Sequence, residues 1–106
     1  MSDKQKTLSD IIQFKGKGLH TGADVEIAIK PAQENSGYHF KRIDIDGEPM
    51  IRAIADNVTH TERGTTLVEK GVSVSTVEHV LAALSGMGID NALIELNGPE
   101  VPIMDG

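Results

Sequence analysis

With cysteine absent, four histidines (His20, His39, His60 and His79) are the side chains from which a transition-metal site would be built. None is paired at the close spacing of an H-E-x-x-H helix or a zinc finger, so any such site must be assembled at long range. His79 directly follows Glu78, which places a potential ligand beside a potential general base. Plainer roles are open to each of these residues. Ser75-Thr76-Val77-Glu78 matches a helix capping box, which would account for Glu78 by itself. A lone histidine such as His79 also suits a hydrated surface. His20 lies in a glycine-bounded turn and suits a residue that tolerates unusual backbone angles. His39 and His60 have no distinctive neighbourhood.

Several chemistries are excluded. There is no G-x-x-x-x-G-K-[ST] loop, and Gly16, Gly18 and Gly22 miss the dinucleotide-binding spacing. Without a G-x-S-x-G elbow or a cysteine, the usual acyl-enzyme hydrolases lack their nucleophile. A net charge of -6 opposes binding to a phosphate backbone, and only Phe14, Tyr38 and Phe40 could stack on bases, so no nucleic-acid partner is expected. A local patch could still receive an anionic small molecule. No apolar run reaches membrane-spanning length and the opening residues are polar, so the expectation is a cytoplasmic chain with no transmembrane segment.

These residues need a scaffold, and 106 residues of ordinary globular composition suffice for one domain, residues 1–106, with an aliphatic core. Residues 7–14 suit a strand leading into the Gly16 to Gly22 turn. Val25, Ile27 and Ile29 alternate with Glu26, Ala28 and Lys30 as in a half-buried strand stopped by Pro31, so the two segments predict a hairpin. Further strands are expected over 39–45, 51–55, 65–68, 72–74 and 91–96, with a short helical turn around 56–60. One helix is predicted from Ser75, burying Val77, Val80, Leu81 and Leu84 and ending at Gly86 or Gly88. At about 100° per residue, His79 falls on the opposite side with Ala82, Ala83 and Gly86, small neighbours that would admit another element closely. The fold class is α+β, a mostly antiparallel sheet packed with helices in two layers. The apolar tail Val101-Pro102-Ile103-Met104-Asp105-Gly106 is expected to run on into further chain.

Gly16-Lys17-Gly18-Leu19-His20-Thr21-Gly22, Gly64-Thr65-Thr66-Leu67, the segment from Ser75 to Leu84, and Gly88-Ile89-Asp90-Asn91 with Pro102-Ile103-Met104-Asp105-Gly106 occur in one order and spacing. In that register the sequence resembles the UDP-3-O-acyl-N-acetylglucosamine deacetylases over essentially its whole length, including the form fused to a 3-hydroxyacyl-carrier-protein dehydratase.

The resemblance implies hydrolysis of the N-acetyl group of UDP-3-O-(3-hydroxyacyl)-N-acetylglucosamine, releasing acetate, in lipid A biosynthesis of Gram-negative bacteria. It also implies two similar α+β domains with the active site between them, of which this chain corresponds to the first. Carried over residue by residue, His79 becomes one of three zinc ligands, Glu78 the general base, and His20 a substrate-binding residue of the cleft. The other two ligands and a general acid would belong to the second domain, so the fragment alone is expected to be inactive. The competing class is a non-catalytic binding or assembly module of the same fold.

Overall fold

The computed structural model describes residues 5–103. The Met104-Asp105-Gly106 end of the last motif and the first residues of the polar opening lie outside them. The described residues form eight strands and one α-helix: β1 (Ile12–Lys17), β2 (Asp24–Pro31), β3 (Tyr38–Arg42), β4 (Met50–Arg52), β5 (Val58–Thr61), β6 (Gly64–Glu69), β7 (Val72–Val74), α1 (Glu78–Gly86) and β8 (Ala92–Leu96). A single 3₁₀ turn, Ala55–Asn57, precedes β5. This is the expected α+β class.

One sheet runs β1-β2-β8-β3-β4 and a second is the meander β5-β6-β7. The predicted hairpin is present: β1 and β2 pair antiparallel with Phe14 opposite Ile27 and Lys17 opposite Asp24. Strand β8, last in sequence, inserts between β2 and β3. It runs antiparallel to β2 and parallel to β3, the one parallel pairing of named strands. Its central position follows from its sequence, because Ala92, Ile94 and Leu96 are buried while Leu93 and Glu95 occupy the other face. In β2 the alternation of Val25, Ile27 and Ile29 with polar neighbours gives the same one-sided burial. Phe40, Ile51, Leu67 and Val74 carry the core from the first sheet to the second. Buried Arg42 joins the sheets as well, its guanidinium donating to the Ser73 carbonyl (2.7 Å) and to both Asp44 oxygens.

Helix α1 buries Val80 and Leu84 and half-buries Leu81, whereas His79, Ala82, Ala83 and Gly86 are exposed as their spacing predicted. Its start differs from the sequence expectation. The helix begins at Glu78, not Ser75, and no side chain caps it. The capping box does not form because Ser75 is engaged elsewhere. Its N–H donates to Pro99 O (2.8 Å), its carbonyl accepts from Val101 N–H (3.0 Å), and it bridges Glu100 in parallel register. Long-range pairing has satisfied the backbone group that the Glu78 carboxylate would have capped. Thr76 then turns the chain at φ +60°, an unusual value for a β-branched residue.

Some boundaries also moved. The first strand starts at Ile12, with Thr7 making only an isolated bridge to Asn91. Strand β3 ends at Arg42 and β4 at Arg52. Strand β5 was not predicted. All four of its residues are exposed, so it carries no apolar alternation.

Candidate active site

Three segments converge on the first turn of α1. The β5–β6 turn is the first: Val77 N–H donates to Thr65 O (3.1 Å), and Thr76 Oγ1 lies 2.8 Å from Arg63 O. Here Glu78 finds its partner, accepting from Thr65 N–H at 3.3 Å. Gly64 passes directly beneath it. The backbone there has φ +86°, which favours glycine, and a Cβ built at position 64 would meet Glu78 Oε2 at 2.5 Å and push the carboxylate aside. Glu78, half-buried, is thus tied to the β5–β6 turn. A carboxylate in the first turn also suits the positive end of the helix.

The second segment is residues 99–103. Ile103 N–H donates to Lys17 O (2.9 Å) and Pro102 bridges Gly18, laying this stretch along the end of β1. Between it and α1 lies a groove of about 400 Å³ lined by Leu19, Thr76, His79, Val101, Pro102 and Ile103. His79 thus stands on the wall of a largely apolar groove. The structure brings it together with the first motif through Leu19 and with the last through Pro102 and Ile103. His20 in its turn, His39, half-buried in β3, and His60, exposed in β5, do not line the groove.

The third segment is the Gly18 to Gly22 turn, which carries His20 and is fastened by a residue the sequence reading had missed. Glu100 is completely buried, and its carboxylate accepts from His20 N–H (3.1 Å to Oε2), Thr21 N–H (3.0 Å) and Thr76 Oγ1 (2.9 Å), with His20 Nδ1 at 2.7 Å. The one available signal was a lone charge in the apolar run from Pro99 to Ile103. Burial by itself would raise the pKa of Glu100. The hydrogen bonds from the Thr21 amide, the His20 ring, the Thr76 hydroxyl and the His20 amide outweigh it and hold the pKa at about 2.

A pH dependence follows. Because the folded-state value lies below the ordinary 4.5, Glu100 contributes stability that is fully present above that value and is lost as pH falls towards 2. The depression corresponds to on the order of 3 kcal/mol. Denaturant midpoints of wild type and Glu100→Gln are expected to differ most at about pH 6, to lie closer by about pH 3 and to converge only as pH approaches 2. A gap that stays constant over this range would mean that the carboxylate has no depressed pKa.

Among the described residues no three His, Asp or Glu side chains are grouped to hold a metal ion. His79 is an exposed imidazole on the groove wall, a donor type that suits zinc.

The chain that carries this geometry can be compared with known proteins. Residues 5–106 match the family described as LpxC, UDP-3-O-acyl N-acetylglycosamine deacetylase. The chain belongs to the LpxC family. Similar relatives of this LpxC chain include the "Bifunctional enzyme LpxC/FabZ" of Bacteroides thetaiotaomicron, 59% identical over 103 residues that make up 97% of this chain and 22% of that protein. The protein of the same name from Porphyromonas gingivalis is 57% identical with the same coverage. The "UDP-3-O-acyl-N-acetylglucosamine deacetylase" of Alcanivorax borkumensis is 50% identical over 97% of this chain and 34% of its own length. The chain thus spans about a fifth to a third of the length of these LpxC relatives. Both the family read from the motifs and its fused form among the relatives stand. No described helix is long and apolar enough to cross a membrane.

Proposed function

We propose that this chain is the N-terminal domain of a zinc-dependent amidase that removes the N-acetyl group of UDP-3-O-(3-hydroxyacyl)-N-acetylglucosamine, releasing acetate, in cytoplasmic lipid A biosynthesis. The observation that carries this reading is the arrangement at the start of α1. Glu78 is fastened by Thr65 N–H above Gly64, and the next residue, His79, faces an open apolar groove. Zinc, held in part by His79, would supply a Lewis acid for the amide carbonyl. Glu78 takes the proton of the attacking water, its carboxylate kept near its place by the Thr65 amide. His20, anchored through Glu100, is the substrate-binding residue of the cleft. The groove wall of Leu19, Val101, Pro102 and Ile103 excludes water from one side.

A second domain completes the site with the remaining metal ligands and the acid that protonates the leaving amine. The test is acetate release from the acylated UDP-sugar. Full-length protein is expected to turn over at roughly 1 to 1,000 per second and to stop on chelation, with the 106-residue segment inactive. Chelator-insensitive turnover, or turnover by the segment alone, would overturn this reading.

A further inference from the structure

The Glu100 carboxylate is saturated with donors in a way that bears on His20. Two consecutive backbone amides, His20 N–H and Thr21 N–H, point at it, making an anion cradle of the turn. The cradle is tight. A Cβ at position 18 would collide with Glu100 Oε1 and meet Thr21 Oγ1 at 2.5 Å, so glycine is required where the turn closes on the carboxylate. The Thr76 hydroxyl approaches Oε2 at 2.9 Å and the His20 ring at 2.7 Å. Glu100 has no exposed surface, whereas the His20 side chain is 32% exposed. An ionised carboxylate only accepts, so the ring nitrogen facing it must carry a proton. In the neutral imidazole Nε2 is then the lone-pair nitrogen, and it has no hydrogen-bond partner among the described residues.

We propose that Glu100 is a positioning residue for the deacetylation reaction: it fixes His20 as the Nδ1–H tautomer and so presents Nε2 as an acceptor for a substrate hydroxyl. This rests on the deacetylase function proposed above. The same carboxylate fastens Thr76, two residues before Glu78, so one buried group sets the spacing between the His20 turn and the start of α1.

The test uses full-length protein labelled with ¹⁵N-histidine at a pH where His20 is neutral. In wild type, His20 is expected to show a protonated Nδ1 and an unprotonated Nε2. In Glu100→Gln the amide can place a donor opposite Nδ1, and the tautomer is expected to reverse to Nε2–H. The KM for the acylated UDP-sugar should rise by about 10-fold, the usual effect of one lost hydrogen bond, with kcat and zinc content much less affected. In a His20→Ala background, Glu100→Gln should no longer raise KM. A purely structural role for Glu100 would instead lower activity equally in both backgrounds. That result, or an Nε2–H tautomer in wild type, overturns the proposal. The wild-type tautomer decides the matter even if Glu100→Gln does not fold. Absence of deacetylation by wild type would sink the functional reading, and the spectrum would still report on the Glu100–His20 pair.

Discussion

Glu78→Gln in the full-length protein is expected to lower turnover by about 100-fold or more while leaving the melting temperature nearly unchanged. The sequence match to a capping box would have made Glu78 a contributor to helix stability. The structure removes that role, because the Ser75 amide is paired with Pro99 and, among the described residues, the carboxylate accepts only one long bond, from Thr65 N–H. Glutamine keeps an oxygen for that bond, so the cost to folding is at most a fraction of one hydrogen bond, about 1 kcal/mol. It cannot take a proton from water. Zinc content must be measured alongside, since metal loss would imitate loss of the base. Wild-type turnover by a zinc-loaded Glu78→Gln protein would be decisive against general-base catalysis by this residue.

His79→Ala is expected to have the second large effect. The side chain is exposed on the groove wall, so its removal should change stability by no more than about 0.5 kcal/mol. As one of the three zinc ligands proposed above, however, its loss should weaken zinc binding by about 100-fold or more, beyond what removal of a ligand's supporting hydrogen bond costs. Purified protein should therefore contain far less than one zinc per chain and show a proportional loss of acetate release, with an unchanged melting curve for the apo form. Full zinc occupancy together with full activity would remove His79 from the site. The pattern of a stable, metal-poor, inactive protein separates a ligand from a structural histidine, which would fail in stability first.

Much of this arrangement was legible where local pattern and tertiary environment agree. The alternation of Val25, Ile27 and Ile29 is the period of a strand with one buried face, and the two faces of α1 divided as the spacing of Val80, Leu84, His79 and Ala83 required. Strand β5 could not be read, because Val58, Thr59, His60 and Thr61 are exposed and held by pairing to β6 alone. The capping box failed for the opposite reason. Its local match was good, but bridging to residue 100 provided the Ser75 backbone with partners that no window around the helix contains. Glu100 was invisible because its partners lie 24 to 80 positions away. Glu78 and His79 were found as neighbours in sequence, and their setting above Gly64 and beside Leu19 emerged only from the fold.

The span of those contacts has a kinetic side. Joining residue 20 to residue 100 closes a loop of about 80 residues, and the central strand β8 likewise waits for the chain to reach residue 96. The hairpin of β1 and β2 and the meander of β5 to β7 are local and can form early. The turn bearing His20 and the start of α1 have no shared anchor until Glu100 arrives between them, so the geometry of the site belongs to the slow, non-local phase of folding. A chain emerging from the ribosome would hold His20, Glu78 and His79 before it held Glu100, which fastens their segments, and the groove wall of residues 101–103 that follows it.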